Sequence, residues 1–503
     1  MTGSAQQNVS RFPFWGALPP CWARRLTGLT FGLVTALGVS GQADPADKQA
    51  VIGRLDERTA HYGEMAHEIW SLAEVGYQEF KSTRLLQDEL AAAGFSIEAG
   101  VAGMPTAFIA SYGEGEPIIG MLGEYDALPG VLQTASPERE LRTDGAIAGH
   151  ACGHHLFGTG SAAAAVAVKE WMAANNVKGT LRYYGCPAEE GGSGKVYLVR
   201  AGKFDDASAV LHWHAGDRNG VGMGSSMANK SAKFRFHGVS SHAAGAPERG
   251  RSALDGVEAL NFMANLMREH VPSDTRIHYV ITKGGEAPNV VPDFAEVFYY
   301  VRNPDRRVIQ DVWGRLEAAA QGAAAGTGTT VDWEIIHGNY ELLPNEPLGR
   351  TMWENLELVG GVTYDDAERE FAERIGATLP GGRAAALEVA AQVQPFRPKS
   401  PPFPASTDVA DISWTVPTIG LGTATWVPGT PGHSWQAVAA GGMSIGTKGM
   451  MVAAKTLALT AMDLFTDAEI LAAASDDLEA RRGADFHYEP LLGDRPPPLD
   501  YRK

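Results

Sequence analysis

Cysteine is almost missing: 3 of 503 residues, Cys21, Cys152 and Cys186. That scarcity excludes a disulfide-framed scaffold. If a leader carrying Cys21 is removed, Cys152 and Cys186 remain, and a bond between them is conceivable only in an oxidising compartment. Positive charge is also in short supply, with 42 lysines and arginines against 59 acids and a formal charge of −17. Nucleic acids and anionic membranes reward clustered positive charge, so no nucleic acid is expected as a partner and a small molecule is. No internal repeat is present. What remains is an ordinary globular composition, 44% hydrophobic and 20% charged, in a chain long enough for two domains.

Residues 1–43 differ from the rest. Arg24 and Arg25 precede the uncharged run "LTGLTFGLVTALGVSG", and Gly41 and Ala43 supply the small residues a signal peptidase needs. The stretch reads as a cleaved export signal, which predicts a periplasmic or secreted protein with no stable membrane span after cleavage. A retained anchor fits less well, because the run is slightly short and rich in Gly and Thr. Without a functional signal the protein would stay in the cytoplasm. "ARRLTGL" is a loose match to a twin-arginine signal, and no lipidation cysteine follows the run.

From Ala46 to Ala93 apolar residues recur at helical spacing, closing at Gly94. The runs "TAFIASY" and "PIIGML" follow as strands, then the small-residue helix "GTGSAAAAVAVKEWMAA" and the strand "GTLRYYG". Helices alternating with buried strands predict an α/β class, a mixed-sheet domain covered by helices on both faces, with ligand sites in the loops beyond strand ends. Residues 228–338 have another rhythm, strand–helix–strand–strand–helix–strand, which predicts an inserted βαββαβ, ferredoxin-like unit. The catalytic domain is thus expected over 44–227 and again over 339–470, with a tail over 471–503. Within the second part, 343–405 reads as a Pro- and Gly-rich excursion with one charged helical piece, "SIGTKGMMVAAKTLALTAMDLF" as the final long helix, and "GDRPPPLDYRK" as extended chain.

Side chains able to hold a divalent metal occur at four places: Cys152 and His154 in "HACGHH", Glu189 and Glu190 in "PAEEGG", His214 in "LHWH" and His433 in "TPGHSW". Singly each has a bland explanation, a surface or packing histidine or a solvated acidic turn. Together, each beside Gly or at the end of an apolar segment, they predict a metal site. A mixed Cys, His and carboxylate set suits Zn or Mn, whereas oxygen ligands alone would have suggested Mg or Ca. Adjacent carboxylates repel, and a cation on Glu190 would offset that repulsion. Glu189 is then free to take a proton from water and hand it to a leaving amine.

The motifs "GEYDALPG", "GHACGHH", "PAEEGGSGK", "SSHAA", "PNVVP" and "TPGHSWQ", in that order and around an inserted βαββαβ unit, resemble the dinuclear metal amidohydrolases that include aminoacylases, carboxypeptidase G and auxin-conjugate hydrolases. The resemblance runs from about residue 50 to the tail. It implies two divalent ions, with Cys152, His154, Glu190, His214 and His433 at ligand positions. Cys152 stands where better-known relatives have a bridging aspartate, so its thiolate would lie between the ions. It further implies Glu189 as general base and Asp126 as the acid that orients the site from behind the ligands. Glu124 replaces a metal-binding histidine and would sit nearby without ligating, and His155 departs from the usual Asp or Asn, leaving its role open.

In the inserted unit, whose implied job is dimerisation or closure as a lid, His242 matches a histidine that crosses a homodimer interface to steady an oxyanion. Asn289 and Arg302 match residues that hold a substrate carboxylate. Read without the resemblance, Asn289 is a turn residue and Arg302 a strand-end salt-bridge former. The implied reaction is hydrolysis of the amide in N-acyl or N-aroyl amino acids, such as p-aminobenzoyl-glutamate-like or indoleacetyl-amino-acid-like conjugates. A dipeptidase of the same superfamily and a non-catalytic dimerising relative are the alternatives. A related second subunit is a further implied partner.

Overall fold

The computed structural model describes residues 41–382 and 386–502. Most of the expected export signal lies outside the described residues.

Three helices open the fold, α1 (Pro45–Glu57), α2 (Thr59–Leu72) and α3 (Phe80–Ala92). Asp44 caps α1 by accepting the Ala46 N–H, with Pro45 in the first turn where its missing donor costs nothing. The continuous helical periodicity is broken at Arg58 and by the left-handed Ala73 (φ 44°).

There follow β1 (Ser96–Ala99), β2 (Phe108–Glu114), β3 (Ile118–Glu124), the short pair β4 (Leu128–Pro129) and β5 (Ala148–Gly149), then α4 (His154–Asn175) and β6 (Gly179–Cys186). The single kinked turn α5 (Glu189–Gly192), α6 (Gly194–Arg200), β7 (Ala209–Gly216) and β8 (Gly220–Val221) complete this part.

The main sheet runs β1-β2-β6-β3-β7-β13-β8, with β13 spanning Thr418–Ala424. Its centre, β6-β3-β7-β13, is parallel and its margins are antiparallel, so the sheet is mixed. Every residue of β3 is buried, as expected of a continuous apolar run in a central strand. Neighbouring tyrosines of β6 show that both faces are covered. Tyr183 reaches α4 through the Gly158 carbonyl (3.1 Å), while Tyr184 packs on Phe204 on the opposite side. Gly158 lets α4 lie against β3, because a Cβ there would stand 2.7 Å from the Glu124 carbonyl.

The insertion comprises β9 (Ala228–His237), α7 (Ala253–Met267), β10 (Arg276–Lys283), β11 (Phe294–Asn303), α8 (Arg306–Thr327) and β12 (Thr330–Asn339). Its antiparallel sheet runs β10-β11-β9-β12, the ferredoxin-like order expected of βαββαβ. Phe234, Phe236, Val297 and Tyr299 pack with Leu260, Trp313 and Leu316 of the two helices in a core of their own.

Two expectations fail. The stretch from 343 is no excursion: α9 (Glu346–Val359) buries Leu348, Met352 and Leu356 in the main core, and α10 (Asp366–Ala377), with a full capping box from Asp365 and Glu368, adds Phe371 and Ile375. Most of the Pro and Gly that suggested a detour lie in the connectors, and Pro347 sits in the first turn of α9, where its missing donor is tolerated. The short helix α11 (Val409–Ser413) comes next, and α12 (Trp435–Gly441) and α13 (Ser444–Thr466) follow. The last helix is therefore α14 (Ala468–Arg482), packed through Ala474 and Leu478, and the tail begins after it. Among the described residues no helix is long and apolar enough to cross a membrane.

Candidate metal centre

The parallel strands bring their C-terminal ends to one edge, and the chemistry collects there. Glu124 closes β3 and Asp126 follows it; Cys186 closes β6 and leads into Glu189 and Glu190; His214 lies near the end of β7. Cys152 sits in the turn before α4, whose first residue is His154, and Gly153 (φ 78°) makes that turn, a conformation open to glycine at no cost. His433, itself at φ 58°, is held by its N–H on the Ala151 carbonyl (3.0 Å).

Cys152, His154, Glu190, His214 and His433, nearly 300 positions apart at the extremes, converge. Their ligand atoms form two groups, Cys152 with His154 and His214, and Cys152 with Glu190 and His433, each within 4.8 Å. The two groups share one atom, the Cys152 sulfur, which is the arrangement a bridged pair of ions requires. Cys152 Sγ is 3.3 Å from His214 Nε2, and His433 Nε2 is 3.4 Å from Glu190 Oε1. The donor orientation fits metal binding. His214 Nδ1 donates to the Ala215 carbonyl (2.7 Å) and His154 Nδ1 pairs with Asp126 Oδ1 (2.9 Å), so both Nε2 atoms face inward. His154 Nε2 and Glu190 Oε1 are buried with no hydrogen-bond partner. Asp126 serves both groups, because its other oxygen accepts the Glu190 N–H (2.9 Å).

Glu189 and Glu124 stand beside them and form a further group with His154. Glu189 Oε2 is 4.0 Å and Glu124 Oε2 3.1 Å from His154 Nε2. Burial, helped by the charges of Glu124 and Glu190, pushes the Glu189 carboxyl well above its usual range. Burial also raises the Cys152 thiol, with Glu190 adding to it. Burial opposes the charge on His154, but Cys152, Glu124 and Asp126 outweigh it and lift the imidazole well above its usual value. A cation bound here would have to displace protons from Cys152 and Glu189.

Sequence reasoning missed three buried residues, Lys195, Asp408 and Glu79. Lys195 Nζ bridges Glu124 Oε1 and Asp408 Oδ1, at 2.6 Å each, with all three side chains almost fully buried. Lys195 ends the quoted "PAEEGGSGK", so the residue was in view but its role was not. Glu79 accepts the Ala188 N–H (2.9 Å) just ahead of the glutamate pair, and burial beside Asp126 raises its pKa to about 8. His155, whose role the sequence left open, turns away from the centre. It lies buried against the Gly441 carbonyl (3.0 Å), where burial lowers its pKa to about 3. Cys152 and Cys186 are both free thiols and do not pair.

The expected substrate residues are not in this cluster. His242 and Asn289 are exposed neighbours on the inserted unit, joined by the Ala243 N–H on the Asn289 carbonyl (3.0 Å). His242 Nδ1 accepts the Ala244 and Gly245 N–H groups (3.2 and 3.0 Å), which leaves Nε2 as an outward donor. Arg302, on the open face of β11, lines a cleft of about 740 Å³ with Arg276, His278 and Tyr300.

Residues 227–328 match the family model described as a peptidase dimerisation domain. Over 433 residues the chain is 40% identical to one subunit of p-aminobenzoyl-glutamate hydrolase from Escherichia coli (strain K12), covering 82% of this chain and 90% of that protein. The chain belongs to the M20 peptidase family. This M20 member is also 28% identical to Xaa-Arg dipeptidase of Homo sapiens, over 85% of this chain and 91% of that one. A dinuclear metal binding peptidase of the M20 family from Bacillus subtilis shares its fold, with a TM-score of 0.56 at 20% identity over 83% of this chain and 99% of that structure. The M20 chain is thus a hydrolase acting on amide bonds, with candidate metal-ligand groups at its centre.

Proposed function

We propose that this M20 enzyme cleaves the amide joining an acyl or aroyl group to an amino acid with a free carboxylate, p-aminobenzoyl-glutamate-like and indoleacetyl-amino-acid-like conjugates included. The observation that carries the reading is the pair of ligand groups sharing Cys152, with the carboxyl of Glu189 beside them. Cys152, His154, Glu190, His214 and His433 would hold two divalent ions, Zn or Mn. Such ions, when bound, supply Lewis acidity and make nearby water a stronger acid. Glu189 removes the proton of the attacking water and delivers it to the departing nitrogen. Asp126 fixes His154 and the Glu190 backbone. Arg302 and Asn289 grip the substrate carboxylate, and the outward Nε2–H of His242, contributed by a second copy of the chain, steadies the developing oxyanion.

A homodimer built on the inserted unit is supported by its exposed apolar side chains. Phe262, Met263 and Leu266 of α7 are exposed, and so are Val280 and Ile281 of the edge strand β10. A related second subunit is the other assembly to test. The leader reading of residues 1–43 makes the enzyme periplasmic or secreted, and the N-terminal residue of the mature protein from fractionated cells tests it. The similarity to a dipeptidase supports one second reading. A panel of N-aroyl amino acids and dipeptides, offered to the metal-repleted protein, separates the two: turnover of dipeptides alone would overturn the proposal.

A further inference from the structure

The Glu189–Glu190 turn is built from backbone that needs outside support. Ala188 and Ser193 are non-glycine residues at φ 57°, and Glu190 itself (φ −70°, ψ 62°) is not helical. A left-handed conformation is sterically costly for a residue with a Cβ and persists only where surrounding structure over-determines it. Gly191, Gly192 and Gly194 offer easy ways to relax.

The support comes in part from residues 493–502, far away in sequence. This segment crosses the molecule as a strap. Arg495 donates to the Ile335 and Ile336 carbonyls of β12, and Arg200 of α6 donates to the Gly493 and Arg495 carbonyls (2.8 Å each). Gln78 then donates to the Leu499 carbonyl (2.8 Å). The Tyr501 ring packs edge-on against Tyr77, itself at φ 61°, whose hydroxyl donates to the Gly192 carbonyl (2.7 Å). A side chain at Gly76 would run into the Tyr501 hydroxyl and Ala188, so the strap's berth is built in. At its end, the Tyr501 hydroxyl (3.1 Å) and Arg502 Nη2 (2.7 Å) both donate to the Glu190 carbonyl. The Glu190 residue is thereby gripped from both sides, by Asp126 at its N–H and by the strap at its carbonyl.

We infer that Tyr501 and Arg502 are positioning residues: they fix the Glu190 backbone, and through it hold the Glu190 carboxylate in its ligand group and Glu189 beside His154. Neither touches a reacting atom. The catalytic consequence rests on the function proposed above, whereas the positional role is testable without it. Misplacing a reacting group by about 1 Å can cost on the order of a hundredfold in rate.

The experiment uses the full chain as Tyr501→Phe, Arg502→Ala, Arg502→Lys and the Tyr501→Phe/Arg502→Ala double variant, together with a chain stopped after Asp500. Hydrogen exchange of the metal-free proteins reads the backbone directly. Protection of the peptide over 187–195 should fall about tenfold or more in the double and shortened variants and recover in part with lysine, since a second donor restores some of the grip. Zn²⁺ affinity, measured by chelator competition, should weaken at one site of the two. The kcat for N-(4-aminobenzoyl)-glutamate should drop about tenfold or more with KM nearly unchanged. If the shortened chain does not fold, the point variants decide, because phenylalanine keeps the ring on Tyr77. Exchange and Zn²⁺ affinity equal to the parent's in a double variant of unchanged Tm would overturn the inference. Faster exchange in a protein whose parent hydrolyses nothing would instead uphold the strap and remove the proposed reaction.

Discussion

The edge of the main sheet that carries the candidate metal centre and the open face of the inserted unit hold their candidate site residues in opposite ways. At the edge, His154, Glu124, Asp126, Lys195 and Asp408 are buried, and each has its position fixed by a neighbour within about 3 Å. On the inserted unit, His242 and Asn289 are exposed, and Arg302 has no carboxylate partner among the described residues. One half of the proposed site is therefore complete within the chain, while the other is only presented. A buried set tolerates no freedom because unpaired charge is costly there, whereas an outward set must wait for substrate, closure or a second copy of the chain.

The hardest blow to this comparison falls on the inner half. Glu189→Gln keeps the shape and removes the base, so kcat should fall by on the order of a hundred- to ten-thousandfold. Metal content, measured on the same sample, should remain at the parent's level. A variant with normal turnover would remove the mechanism. Cys152→Ala should act differently. If one sulfur serves both ligand groups, both ions weaken together, and equilibrium dialysis should show neither bound at a concentration that fills the parent. Because burial holds the Cys152 thiol protonated, parent affinity should rise with pH as the proton becomes easier to displace. Loss of only one ion, or affinity independent of pH, would break the shared-sulfur reading.

The outer half is tested by putting its pieces in different chains. His242→Ala alone should lower kcat by about a hundred- to a thousandfold, the cost of one oxyanion donor. Coexpressed with Glu189→Gln, it should regain activity, because a mixed dimer can pair an intact Glu189 with an intact His242 from the other chain. No recovery in purified mixed dimers would place His242 in its own chain's site. Arg302→Lys keeps the charge but loses the planar fork, so KM should rise about tenfold with kcat little changed.

How much of this was readable in the sequence follows the same division. The residues of the two candidate ligand groups were legible because most of them interrupt an apolar segment beside Gly, in "HACGHH", "PAEEGG" and "TPGHSW", where a charged or sulfur side chain has no packing reason to be. The βαββαβ unit was legible because its strands alternate cleanly. Lys195, Asp408 and Glu79 were not, since a buried charge looks like a surface charge until its partner is brought from a distant part of the chain. For the same reason α9 and α10 hid behind Pro- and Gly-rich connectors, although their own apolar spacing was helical. Tyr501 and Arg502 gave no local signal at all: their contacts lie more than 300 positions away, and extended chain carries no periodicity to read.

The gentlest test asks whether the outer half is an electropositive cradle before any substrate arrives. His278 lies on the open face of β10, two residues along from the cross-strand pair Arg276 and Arg302, in a chain that is acidic overall. Like charges directly opposite on a sheet repel unless an anion intervenes. His278 reports that field. Burial lowers its pKa from the usual 6.5, and Arg302, Arg268 and Arg276 add to the effect, so the ring loses its proton at a lower pH than a free histidine. Arg302→Ala removes the largest of the charge contributions and should move the titration midpoint upward, as read from the ring C–H resonances by NMR. A bound carboxylate should move it the same way in the parent, by neutralising the guanidinium, and should have no such effect in Arg302→Ala. A midpoint shifted equally by the ligand in both proteins would mean the carboxylate is held elsewhere, and the presented half would lose its anchor.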